Sequence, residues 1–106
     1  MINIEELKPQ IIERLKFLQP DKIILFGSYA YGTPTKESDI DLFLIKNSNI
    51  ENIRELKVQA KLKLRDLISK YKIGFDILIS SEDFVNSRED YFYKIDILQN
   101  GKVIYE

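Results

Sequence analysis

Two aspartates at the head of an apolar strand constrain this chain more than any other feature. The stretch from Asp21 to Ile45, DKIILFGSYAYGTPTKESDIDLFLI, reads as an apolar strand, a Gly-Ser turn, a polar loop and a second apolar strand carrying Asp39 and Asp41. Side chains at i and i+2 of a strand share one face and lie roughly 6.6 to 6.8 Å apart along it. Asp39 and Asp41 are therefore expected to point the same way, with Ile40, Leu42 and Leu44 opposite. Paired carboxylates repel each other and resist burial, so fold stability does not ask for them. A divalent cation between them offsets both costs, and the chemistry this predicts is a Mg²⁺-type site.

The Gly-Ser pair supplies the complementary half. Gly27 ends the strand Lys22–Phe26 and, lacking a Cβ, lets backbone approach a ligand. Ser28 is placed to open a short helix whose N–H groups and hydroxyl face an anion held near the carboxylates. Phosphate donors beside metal-binding carboxylates suggest a polyphosphate bridged by metal.

Gly27-Ser28, ten intervening residues, then Asp39-Ile40-Asp41 resembles the G-S-x10-D-x-D pattern of the nucleotidyltransferase superfamily that includes DNA polymerase beta. Length and intervening residues are most similar to the minimal nucleotidyltransferase (MNT) domains, MntA-like antitoxin partners of HEPN toxins. The resemblance covers nearly the whole chain, including Asp76 within a later strand and the closing Gly101–Glu106. It implies a polymerase beta-like α/β fold and transfer of AMP from ATP with two Mg²⁺ ions, or Mn²⁺. The implied acceptor is a protein, the cognate HEPN ribonuclease toxin modified on a tyrosine, and the implied assembly is a homodimer or a hetero-oligomer with that toxin. Many MNT proteins carry G-S-R-A-R-G where this chain has Tyr29 and Tyr31. Arginine there neutralises phosphate by bidentate contact; tyrosine brings a hydroxyl and a ring without charge, suited to stacking on a base or to packing.

In such a site Asp39 and Asp41 hold both ions, Asp76 holds one of them near the incoming hydroxyl, and Gly27 and Ser28 receive the β and γ phosphates. Attack on the α-phosphorus then leaves the nucleotide on the acceptor, driven by positioning and charge neutralisation. Lys36, in the loop before Asp39, is a further candidate phosphate contact. Two alternatives stay open: an antitoxin that acts by binding alone, and an antibiotic-type nucleotidyltransferase with a small-molecule acceptor. The latter class usually needs an additional domain.

Other classes are excluded by composition. The sequence has no cysteine and no histidine, which removes Cys/His zinc sites and Ser-His or Cys-His nucleophilic machinery and leaves a metal only oxygen ligands. Sixteen basic residues against 17 acidic ones argue against broad nucleic-acid binding, which needs a basic surface. The 106 residues suit one domain spanning 1–106. No apolar run approaches the ~20 residues of a membrane span, and Met1–Glu6 turns acidic at once, so a cytoplasmic location is the default expectation.

Periodicity predicts the remaining elements. Ile4, Leu7, Ile11, Leu15 and Leu18 mark an amphipathic helix, with Pro9 in its first turn or else a later start. Asn49 is a candidate cap for a second helix running from Ile50 to Ile68, whose Lys57, Lys61, Lys63 and Arg65 form a solvated basic face. Ile73–Ser80 is a strand with Phe75, Ile77 and Ile79 on one face and Asp76 on the other. A carboxylate inside so apolar a strand is costly when buried alone. Paired beside the Asp39–Ile45 strand, it joins the first two; on an edge, it faces water. Ser81 caps a helical turn, and Arg88–Gln99 forms a final helix with Tyr91, Phe92, Ile95 and Leu98 inward. Lys102–Tyr105 adds a short edge strand. The expected fold is α/β, a mixed sheet of about three to five strands covered mainly on one face by helices.

Overall fold

The computed structural model describes residues 2–106. The chain runs α1 (Ile4–Leu15), a single 3₁₀ turn (Lys16–Leu18), β1 (Lys22–Phe26), α2 (Ser28–Tyr31), β2 (Ile40–Ile45), α3 (Ile53–Lys63), α4 (Arg65–Tyr71), β3 (Phe75–Ser80), α5 (Glu82–Ser87), a π-helix (Phe92–Gln99) and β4 (Lys102–Tyr105). The strands form one four-stranded sheet in the order β3-β2-β1-β4. β1 is antiparallel to both its neighbours, whereas β2 and β3 run parallel. A parallel pair needs a long crossover, and here α3 and α4 supply it.

Alternation along the strands sorts the side chains into two cores. Ile23 and Leu25 of β1, Ile40, Leu42 and Leu44 of β2, and Phe75, Ile77 and Ile79 of β3 face α1, α3 and α4, meeting Leu7, Ile11, Leu15, Ala60, Leu64 and Leu67. The opposite face is smaller: Ile24, Phe26, Phe43 and Ile45 pack against Val85 of α5 and Ile97 of the π-helix. Edge-to-face aromatic pairs extend it, Phe26–Phe92 at 5.6 Å and Phe43–Tyr93 at 6.1 Å between centroids. The heavier helical cover thus lies on one face, as expected. Leu42 is fully buried at the centre of the larger core. Leu42→Ala is expected to cost about 2–5 kcal/mol, read as a lower urea midpoint at unchanged m-value.

Four local expectations are corrected. Helix α1 starts at Ile4, capped by the Asn3 side chain accepting from Glu5 N–H, and Pro9 lies within it rather than in its first turn or ahead of a later start. The buried stripe Leu7-Ile11-Leu15 holds the helix across the hydrogen bond that proline cannot donate, and the ring itself faces solvent. The second helix is capped by Asn52, which accepts from Glu55 N–H at 3.0 Å, while Asn49 takes a left-handed φ of 55° in the preceding turn. That helix also breaks at Leu64, whose buried side chain starts the separate turn of α4. Finally, Phe92–Gln99 winds as a π-helix, with Asn100 N–H bonded to the Ile95 carbonyl at 2.8 Å. The i→i+5 winding rotates the inward face, so Ile97 is buried while Tyr91 and Leu98 are exposed. Ser81 caps α5 by accepting from Phe84 N–H, and β4 is the edge strand beside β1, both as the sequence predicts.

Candidate active site

The site forms where the C-terminal end of β1 meets the N-terminal ends of β2 and β3. Asp41 is the second residue of β2 and, like Phe43 and Ile45, sits on the face of the smaller core. In the ladder it lies opposite Phe26 of β1 on one side and Asp76 of β3 on the other. Two carboxylates directly opposite across paired strands are destabilising on their own. Asp39 immediately precedes β2, and its side chain lies over Gly74: a Cβ built on Gly74 would come within 2.6 Å of Asp39 Oδ1. Asp39 and Asp76 are exposed and Asp41 is half-buried. Asp76 therefore both occupies an edge strand open to water and stands beside Asp41.

Gly27 is required by this arrangement twice over. Its backbone, at φ 74° and ψ −159°, occupies a region that essentially only glycine adopts. Any Cβ there would also collide with Asp41 Oδ2. The bare Cα thus makes the seat of the Asp41 carboxylate and turns the chain into α2, where the amides of Ala30 and Tyr31 both bond the Gly27 carbonyl, at 3.0 and 3.1 Å. Ser28, half-buried, opens α2 at the mouth of the site. Gly74 was not singled out by sequence reading, although an Ile-Gly-Phe strand entry is a recognisable signal of close approach.

The carboxylates are electrostatically unbalanced. None of the ion pairs among the described residues includes Asp39, Asp41 or Asp76. Partial burial, then Asp76, then Asp39 push the Asp41 carboxyl up from its usual 3.8 to about 6. The Tyr29 hydroxyl is also raised, by burial and then by Asp39. For a raised carboxyl the folded state holds the proton more tightly than the unfolded chain. Its contribution in the metal-free protein is thus greatest in acid, falls between pH 3.8 and about 6, and is level above that. After discounting for solvent screening, the loss is about 1 kcal/mol. Urea denaturation of Asp41→Asn and the parent across this range checks it: the variant gains on the parent as pH rises.

The residues present fit a divalent cation. All donors are oxygens, and Asp41 is a half-buried carboxylate without a cationic partner among the described residues. No three Asp or Glu side chains close into a cage among the described residues. Mg²⁺ rarely uses such cages, being held by one or two carboxylates together with substrate phosphates and water.

The two tyrosines at the arginine positions have separate fates. Tyr29 is buried and packs into the larger core. Tyr31 is exposed, and its hydroxyl donates to Asp96 Oδ1 at 3.1 Å, tying α2 to the π-helix. Lys36, the candidate phosphate contact, lines a separate cavity of about 370 Å³ with Lys70, Lys72, Tyr29 and Tyr71, whose lining includes none of Gly27, Ser28, Asp39, Asp41 or Asp76.

Residues 8–105 match the nucleotidyltransferase domain family. The chain belongs to this family. A similar curated protein is the "Putative protein adenylyltransferase MJ0604" of Methanocaldococcus jannaschii, 30% identical over 96% of this chain and 90% of its own length. The "Putative protein adenylyltransferase MJ0141" of the same organism is 39% identical over 73% of this chain and 71% of its own length. Among solved structures, a toxin-antitoxin crystallised with AMP-PNP superposes with a TM-score of 0.63 at 23% identity, covering 92% of this nucleotidyltransferase and 72% of that chain. A mutant of the toxin-antitoxin MntA-HpeT gives 0.61 at 19% identity, covering 92% and 71%. These neighbours share the fold of this nucleotidyltransferase. No helix among its described residues is long and apolar enough to cross a membrane.

Proposed function

We propose that this nucleotidyltransferase moves AMP from ATP onto a hydroxyl of a protein acceptor, the HEPN-type toxin of a toxin–antitoxin pair, in a Mg²⁺-dependent reaction. The observation that carries the reading is the meeting of Asp41 with Asp76 across β2 and β3, beside the glycine-only turn at Gly27. The similarity to proteins named as adenylyltransferases of proteins supports the acceptor class. The fold shared with toxin-antitoxin proteins supports the partner.

Asp39 and Asp41 would hold the cations, with Asp76 completing one site. Bound there, the ions supply charge neutralisation and in-line alignment of attacking and leaving oxygens. The chain's own residues do the rest. Gly27 and Ser28 receive the terminal phosphates of ATP on the β1 side, and Lys36 adds a positive charge from the loop. Asp76, exposed on the open edge, meets the acceptor hydroxyl and accepts its proton as the oxygen bonds the α-phosphorus. Pyrophosphate departs on the side of Gly27.

Purified protein incubated with α-labelled ATP and Mg²⁺, with and without the product of the neighbouring gene, tests this directly. Label on that product supports the transferase. A tight complex without label would instead support an antitoxin that acts by contact, for which the uncharged Tyr29 and Tyr31 are the favouring observation.

A further inference from the structure

Beyond Asp76 the sheet ends, and a groove runs between β3 and the outer face of α3. Its first part is a cavity of about 490 Å³ lined by Arg54, Lys57, Val58, Lys61, Asp76 and Leu78 among others. Positions 54, 57, 58 and 61 follow helical spacing and so present one face of α3. Three cations therefore confront a single carboxylate, in a protein whose formal charge is −1. None of the three takes part in an ion pair among the described residues. Lys57 and Leu78 also border a second cavity of about 320 Å³, whose far wall is aromatic, with Phe43, Phe84 and Tyr93. The two cavities thus adjoin, cationic next to Asp76 and apolar beyond.

We propose that this groove docks an extended acidic segment of the protein acceptor and delivers its side-chain hydroxyl to Asp76. The inference rests on the transferase reading above and adds the chemistry of the acceptor. Acidic side chains of the segment meet Arg54, Lys57 and Lys61, and an apolar residue enters the aromatic end. Among the described residues β3 pairs only with β2, which leaves its outer edge without a strand partner for an extended chain to meet. A polynucleotide fits less well: it needs a broad basic surface, and half of this groove is apolar. In the step served, the hydroxyl oxygen bonds the α-phosphorus of ATP. The bond from that phosphorus to the bridging oxygen breaks, pyrophosphate leaves with the electron pair, and the hydroxyl proton passes to Asp76 and on to solvent.

Random copolymers of glutamate with tyrosine and of lysine with tyrosine serve as probes, with α-labelled ATP and Mg²⁺. The parent protein is expected to label the acidic copolymer about tenfold better than the basic one, a difference of the size a few partly exposed ion pairs supply. Lys57→Glu with Lys61→Glu removes or inverts that preference through KM, while Lys57→Arg with Lys61→Arg retains it. Binding of labelled ATP by equilibrium dialysis is unchanged in both, and matching melting temperatures show that both fold. Equal labelling of the two copolymers, or an acidic preference untouched by charge reversal, overturns the groove while leaving the transferase intact. Label on an oligoribonucleotide 3′-hydroxyl in place of either copolymer also overturns it. Should the parent protein bind no ATP, the transferase reading fails, and binding of fluorescent acidic copolymer decides the groove by itself: charge reversal must abolish it.

Discussion

Asparagine at both Asp39 and Asp41 is expected to lower AMP transfer by about a thousandfold or more while raising the stability of the metal-free protein. The activity loss follows because several kcal/mol of charge stabilisation depend on cations these carboxylates hold, and each 1.36 kcal/mol is about a factor of ten in rate. The stability gain follows from the same geometry read without metal. Asp41 is half-buried, faces Asp76 in the ladder and lies near Asp39, and its carboxyl is pushed up to about 6 as a result. Neutral asparagines relieve that repulsion, for a gain of about 1 kcal/mol. Label transfer and thermal melting in metal-free buffer read the two effects on one preparation. An active double variant sinks the carboxylate assignment. An inactive variant that still neutralises its partner as well as the parent does would show that contact, not transfer, carries the biological effect.

Gly27→Ala is expected to damage fold and chemistry together. Alanine at φ 74° and ψ −159° costs on the order of 1–3 kcal/mol of backbone strain. Its methyl group also falls on Asp41 Oδ2. For a chain of this size each kcal/mol lowers the melting temperature by roughly 4–8 °C, so a drop on the order of 10 °C is expected. Activity falls by about a hundredfold or more, since a displacement of about 1 Å at a reacting constellation has that effect. The collision and the strain separate in a double-mutant cycle. In an Asp41→Ala background the oxygen is gone, and Gly27→Ala should then cost only the strain. Additive losses would show that Gly27 and Asp41 do not share the seat described here.

Much of this architecture is legible in the chain itself. Near-continuous apolar runs in Lys22–Phe26 and Ile40–Ile45 specify strands buried on both faces, while the alternation of Phe75–Ser80 and the four-residue spacing of Leu7, Ile11 and Leu15 specify elements that bury one face. The spacing of Gly27-Ser28 and Asp39-Ile40-Asp41 marked the turn and the second strand for a like reason: a glycine where backbone must pass close, and charges where burial disfavours them. Local competition set the errors. Asn49 and Asn52 are equally good caps by type, but only Asn52 has a glutamate three residues on, and it is the Glu55 N–H that it caps. The π-winding of Phe92–Gln99 leaves no mark in an apolar pattern, so a helical period turns Tyr91 and Leu98 inward although the chain does not follow that period there.

The sequence by itself determined the four strands, the first helix and the candidate carboxylates, since these depend on neighbours within a few residues, but not the break at Leu64 or the π-winding of Phe92–Gln99. Only the tertiary structure decided that β3 lies parallel beside β2, which sets Asp76 against Asp41 and puts Gly74 beneath Asp39. It alone placed Arg54, Lys57 and Lys61 around the groove next to Asp76, where periodicity shows no more than a solvated face. Strand order and groove walls arise from contacts between residues distant in the chain, and no local spacing encodes them.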